Sequence, residues 1–256
     1  MEKMTKQDYW NATRYDTQHA FVSHYGKDIL SLLQPQQGET IVDVGCGTGD
    51  LAHELSKQDV HVIGIDASPN MIATAKEKYP HIPFYVQSAT QLTGFSNVDA
   101  VFSNATLHWV KEPLTALQSM YAILKSGGRF VAEFGGAHNV ETITHAIIDE
   151  IRHAGYRFDD AQFPWYYPSI AEYTTLMEAA GFHVTFAEHI NRPTPLQGDE
   201  GLRNWMYMFA DGLFEGIEKN AKDRIIKKVE ERLRDVLWQD GRWLADYKRI
   251  RVVGVK

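Results

Sequence analysis

The segment that most limits what this chain can fold into is Ile41-Val-Asp-Val-Gly-Cys-Gly-Thr-Gly49. A short apolar run meets glycines at 45, 47 and 49, and a helix-compatible stretch at 50–57 follows at once. Glycine allows a tight turn there and lets the backbone approach a ligand, because no Cβ stands in the way. A second apolar run, 60–65, ends on Asp66. A carboxylate at that point can accept hydrogen bonds from both hydroxyls of a ribose. A glycine-rich turn or a surface aspartate alone needs no ligand. The order strand, loop, helix, strand, acid points to a nucleotide-like one.

The rest of the first half keeps the same rhythm. Apolar runs at 40–44, 60–65, 82–87, 98–103 and 129–134 read as strands, separated by helical stretches at 50–57, 69–79 and 112–125. Ser68 can cap the second of these with Pro69 at its first position. Gly127 and Gly128 are expected to end the third. The pattern predicts an α/β fold, a doubly wound, Rossmann-like sheet with helices on both faces. A helical lead-in occupies 1–39, and 40–135 forms the cofactor-binding core.

Beyond Gly136 the rhythm loosens. A helix at 140–154 precedes an aromatic loop at 158–168. Ser169 and Glu172 form a capping box for a helix closed by Gly181. Strands are expected at 182–190 and 247–255, with mostly helical chain from 201 to 238. Residues 219–234, dense in both charge signs, read as a solvent-facing helix. Within one domain spanning 1–256, residues 136–246 form a substrate half. Its helical cap, about 191–246, is inserted before the last strand.

The glycine spacing narrows the ligand. Dinucleotide folds use G-x-G-x-x-G, with the third glycine packing helix on sheet. Here the spacing is G-x-G-x-G, with Asp43 two residues before Gly45. This resembles motif I of the class I methyltransferases that use S-adenosylmethionine. Val98-Asp-Ala-Val-Phe-Ser-Asn-Ala-Thr-Leu-His-Trp-Val110 resembles that family's fourth strand and the turn after it. Leu124-Lys-Ser-Gly-Gly-Arg-Phe130 resembles the lead into its fifth strand, with serine where proline is commoner. The resemblance covers about 40 to 135 and is to the broad type 11 group, which includes the trans-aconitate methyltransferases.

The resemblance implies a seven-stranded sheet, mostly parallel with the last strand antiparallel. It implies S-adenosylmethionine as cofactor and S-adenosylhomocysteine as product. Asp43, Gly45, Cys46, Gly47, Gly49, Asp66, Ala67, Met71, Ala89, Thr90 and Asn104 are then the cofactor-binding residues. One position departs from the family: an acid that binds adenine usually follows the third strand, and Ala89 stands at or near its place. Backbone groups of Ala89 and Thr90 would have to substitute.

The expected activity is methyl transfer to a small-molecule acceptor, at the oxygen of a carboxylate or hydroxyl. A hydroxyl needs a general base and a carboxylate does not. His108, after the fourth strand, is the candidate base, against a structural role bonding a loop carbonyl. Tyr15, His19, Trp109, Trp165, Arg192, Arg203 and Trp205 are the candidate acceptor contacts, with arginine suited to hold a carboxylate. A non-catalytic module that binds the same cofactor, and a nicotinamide oxidoreductase, are the alternatives.

Charge and cysteine content restrict partners. A net charge of −7 disfavours nucleic acid, whose phosphates need a basic face. Asn104-Ala-Thr-Leu107 also lacks the Asn/Asp-Pro-Pro-Tyr-like tetrad of enzymes that methylate macromolecules. The single cysteine, Cys46, rules out an intrachain disulfide or a Cys-rich zinc site, so no metal is expected. No apolar run approaches the ~20 residues that cross a bilayer. The first ten residues lack the apolar core of a signal peptide, which makes the cytoplasm the expected location.

Overall fold

The computed structural model describes residues 29–256. Most of the lead-in, with Tyr15 and His19, lies outside the described residues. A helical turn at 29–33, with Ile29 and Leu33 fully buried, leads into the sheet.

The strands are β1 (Thr40–Val44), β2 (His61–Asp66), β3 (Phe84–Val86), β4 (Val98–Asn104), β5 (Leu124–Gly135), β6 (His183–Leu196), β7 (Trp238–Gln239) and β8 (Arg242–Val255). Their order is β3-β2-β1-β4-β5-β8-β6, with β7 added beside β8. Strands β1 to β5 pair in parallel. Strand β8 runs against β5: Gly127 N–H donates to Lys256 O and Lys256 N–H to Gly128 O, both at 2.9 Å. The expected doubly wound sheet with an antiparallel last strand is therefore present.

The helices are α1 (Asp50–Ser56), α2 (Pro69–Lys78), α3 (Pro113–Ile123), α4 (Glu141–His153), α5 (Ile170–Ala179), α6 (Gly201–Phe209) and α7 (Lys219–Leu237). Their ends follow local chemistry. Ser68 caps α2 by accepting from Met71 N–H at 3.2 Å, with Pro69 first in the helix. Ser169 and Glu172 make both bonds of a capping box at the start of α5.

Three readings need correction. Helix α3 stops at Ile123, before Gly127: Leu124 is already extended and begins β5, whose register on β4 shifts between Val98 and Ala100. Strand β8 starts at Arg242 rather than 247, because Asp240-Gly241, both at positive φ, turns the chain back onto Trp238–Gln239. Asp-Gly is a favoured two-residue hairpin connection for that reason. Helix α7 is not solvent-facing all round. Ala221, Ile225, Val229, Leu233 and Leu237 recur every four residues and are buried, which makes one apolar face under a charged exterior.

The chain forms two compact units. The first comprises 29–134, 168–188 and 250–256 of the described chain. Its core includes Leu33, Ile41, Leu55, Val62, Ile72, Phe84, Phe102 and Val131. The second comprises 135–167 and 189–249. There α7 packs on α4, and Arg232 bonds Asp149 at 2.9 Å. An aromatic cluster fills the space beside them: Trp165 stacks on Tyr167 with centroids 5.6 Å apart, and Trp205 lies 6.2 Å from Trp165 and 5.8 Å from Phe209. No helix among the described residues is long and apolar enough to cross a membrane.

Candidate functional site

The loop after β1 is built by backbone bonds. Gly45 and Cys46 N–H both donate to Ile65 O, at 2.7 and 3.0 Å, tying the loop to the end of β2. Gly45 has φ +79°, and a Cβ there would lie 2.1 Å from Thr106 Oγ1. That position admits only glycine, on grounds of both conformation and space. At Gly47, φ is +55° and a Cβ would meet nothing within 4 Å. The backbone there borders open space.

Asp66 organises this turn. Its Oδ2 accepts from Gly47 N–H at 3.0 Å and its Oδ1 from Ser68 N–H at 2.8 Å. One carboxylate thus fixes the glycine loop and the start of α2.

A cavity of about 440 Å³ opens at this edge, at the carboxyl ends of β1, β2 and β4, where ligands of open α/β sheets bind. Gly45, Gly47, Asp66, Ala67, Met71, Ala89, Thr90 and Asn104 line it, as does Trp109. Sequence reasoning missed Val44, Gln87, Ser88, Ala105, Thr106, Val110, Lys111 and Glu112 on the same wall. The wall at 87–90 carries hydroxyls and no carboxylate. Ser88 and Thr90 bond each other at 2.8 Å, and the Gln87 amide is held by both backbone groups of Thr93. The polar cations and acids at Lys111 and Glu112 carried no motif signal, since they follow the recognisable segment directly. Burial lowers the Lys111 pKa.

Other expected contacts stand back from the wall. The Cys46 side chain is buried, its thiol pKa pushed up by burial, and its Sγ lies 3.0 Å from where a Gly64 Cβ would be. It points into the core. Gly49 abuts Phe84 and Tyr79. His108 sits in the 3-10 turn Leu107–Trp109, is 7% exposed, and is not on the cavity wall. With three residues per turn, neighbouring side chains there point about 120° apart, and Trp109 lines the cavity while the buried His108 beside it does not.

The remaining acceptor candidates belong to the second unit and do not line this cavity. Trp165 and Trp205 are 3% and 2% exposed. Trp205 Nε1 donates to Tyr247 Oη at 2.6 Å. Arg203 is held by Glu230 at 2.5 Å and Glu200 at 3.5 Å. Arg203 and Trp205 are thus engaged in ion pairing and packing inside their own unit. Arg192 is half-buried.

Asp43 lies under the loop, 2% exposed, and its Oδ2 has no hydrogen-bond partner. Burial first, then the charge of Asp66, pushes its pKa up to about 7 from 3.8. A raised carboxyl pKa means that the folded state binds the proton more tightly than the unfolded one. The stability this gives is complete below about pH 4 and is lost as pH rises through about 7. Asp43→Asn, which cannot ionise, is therefore expected to gain on the wild type across that window. The gain should reach a few kcal/mol, on the order of 1.4 per pH unit, and then level off. Thermal melts of both proteins between pH 4 and 8 measure it, and a constant difference contradicts the assignment.

Residues 42–132 match the family model described as a methyltransferase domain. An uncharacterized methyltransferase of Schizosaccharomyces pombe is 35% identical over 98% of this chain and 99% of its own length. A trans-aconitate 2-methyltransferase of Delftia acidovorans is 26% identical over 88% of this chain and 90% of its own. Among solved structures, the YcgJ protein of Bacillus subtilis superposes with a TM-score of 0.65 at 18% identity, covering 91% of this chain and 98% of that one. A Haemonchus contortus phosphoethanolamine N-methyltransferase, solved with phosphomonomethylethanolamine and S-adenosylhomocysteine, gives 0.60 at 19% identity, covering 96% and 56%. The glycine loop fixed by Asp66, the strand order and a relative that matches from end to end agree: the chain belongs to the class I S-adenosylmethionine-dependent methyltransferases.

Proposed function

We propose that this methyltransferase alkylates an oxygen of a small-molecule acceptor, with a carboxylate favoured over a hydroxyl. The observation that carries the reading is the character of the cavity wall beside Trp109. It is part apolar, and the expected base, His108, is not among the residues that line it. A carboxylate is already ionised at neutral pH and needs no base. The likeness to a trans-aconitate methyltransferase along most of both chains supports an acid as acceptor.

The residues present fit the cofactor. Gly47 offers open backbone, and the Asp66 carboxylate stands on the same wall to meet a hydroxyl-bearing, cationic ligand. In this reading Gly45, Gly47 and Asp66 hold its ribose and methionine parts. Ala67, Met71, Ala89 and Thr90 flank the base, with hydroxyls in place of the usual acid. S-adenosylmethionine supplies a methyl group on a sulfonium centre with a good leaving group. The chain's task is then alignment and exclusion of water, which can supply much of the rate. Trp109 and Val110 on the wall would serve the second of these, and Asn104 and Lys111 the first.

The test is transfer of labelled methyl from S-adenosylmethionine to a panel of small mono-, di- and tricarboxylic acids and phenols. Base-labile methyl esters are the expected products. Label found only on protein or nucleic acid contradicts the reading.

A further inference from the structure

The second unit contains a buried cation that makes no ion pair within the described residues. Arg249, on β8, is 8% exposed and is the one buried arginine among the described residues. Its Nη1 is shielded from solvent and has no hydrogen-bond partner. No ion pair with a described carboxylate holds it. Its one close contact is the Tyr247 ring, 4.6 Å from the guanidinium carbon.

Four other arginines among the described residues are paired with a carboxylate. Arg129 is paired with Glu39 at 2.6 Å, Arg203 with Glu230 at 2.5 Å, and Arg232 with Asp149 at 2.9 Å. Arg251, two residues along the same strand, is paired with Glu133 at 2.6 Å. Those pairs show what a structural arginine looks like here. A buried charge without a counter-charge is costly, and a purely structural position does better with a pair or an apolar residue.

The surroundings are polar and rigid. The Tyr167 phenol is buried and hydrogen-bonded to the Asn139 side chain. Tyr247 Oη accepts from Trp205. Burial pushes both phenol pKa values up, and the positive charge of Arg249 opposes this at each, so the guanidinium lies close to both rings. Asp246 stands nearby in sequence, but its Oδ2 is taken by Thr142 N–H at 2.9 Å and its Oδ1 is itself unpartnered. Asp246 does not close an ion pair with Arg249.

We propose that Arg249, framed by Tyr167 and Tyr247, is a carboxylate-recognition site of the second unit, whose ligand is a small organic acid. A guanidinium offers parallel N–H donors that match a carboxylate bidentately, and a tyrosine face behind it keeps the fork in place. The inference rests on the small-acid reading of the acceptor and narrows it. Arg249 is the guanidinium of the second unit that such an acid would meet.

The experiment is calorimetric titration of the protein, saturated with S-adenosylhomocysteine, with succinate, tricarballylate and their amides. The wild type should bind the acids and not the amides. Arg249→Met should bind S-adenosylhomocysteine as the wild type does, melt at the same temperature or higher, and bind the acids at least about tenfold more weakly. Arg249→Lys keeps the charge and loses the fork, so it should fall between the two, and it decides the matter if the methionine variant does not fold. Unchanged acid affinity in either variant overturns the proposal. So does a wild type that binds S-adenosylhomocysteine but no acid, or a methionine variant that melts lower yet binds acids normally. A wild type that fails to bind S-adenosylhomocysteine overturns the methyltransferase reading instead.

Discussion

Trp205→Ala is expected to destabilise the second unit by about 3–5 kcal/mol, the usual cost of removing a fully buried large aromatic. Trp205 is 2% exposed, lies against Trp165 and Phe209, and bonds the Tyr247 hydroxyl. The substitution opens a cavity and strips a buried hydroxyl of its donor together, so the effect should stand at the upper end of core substitutions. Trp205→Phe keeps most of the volume and loses the N–H, so it should cost less. Thermal and urea melts of the three proteins measure this. An alanine variant that melts with the wild type would return Trp205 to the role of a dispensable acceptor contact.

Asp66→Ala is expected to weaken binding of S-adenosylhomocysteine by about 1–3 kcal/mol, roughly fivefold to more than a hundredfold. Two effects add. The carboxylate assigned to the ribose is lost, and the N–H groups of Gly47 and Ser68 lose their acceptor, so the loop is no longer pinned. Asp66 ends a strand and is only half-buried, so the fold should survive with a small loss of melting temperature. Asp66→Asn should lie closer to alanine than to the wild type, because the amide oxygen can replace only one of the two acceptors. Dissociation constants from calorimetry decide it, and an unchanged value for the alanine variant removes Asp66 from the site.

The first half of the fold was legible because its signals are local. Apolar runs of strand length, Ser68-Pro69, and the glycines at 45, 47 and 49 each act within a few residues, and the structure uses them as read. Asp240-Gly241 was equally local, but its hairpin lay in the gap between the helical reading to 238 and the strand reading from 247, where no element was assigned. In α7 the dense charge drew the reading away from an apolar stripe spaced every four residues.

The site divides along the same line. Asp66, Met71 and Asn104 could be placed because each ends or follows an element of the glycine-loop unit. Arg203 could not, because what decides its role is Glu230, on a different helix. Arg249 had the opposite difficulty. Alternation along β8 gives its face, but no sequence pattern reveals that a buried guanidinium lacks a partner. His108 and Trp109 are adjacent in one three-residue turn, and no sequence pattern says which of them lines the cavity.

The most direct test of the account is a pair of calorimetric titrations of the unmodified protein, one with S-adenosylhomocysteine and one with NAD. A G-x-G-x-G loop pinned by Asp66, with no third glycine at dinucleotide spacing, predicts saturable one-to-one binding of S-adenosylhomocysteine. NAD should give no heat beyond dilution. Saturable NAD binding with none of S-adenosylhomocysteine would contradict the assignment of the cavity and the chemistry built on it.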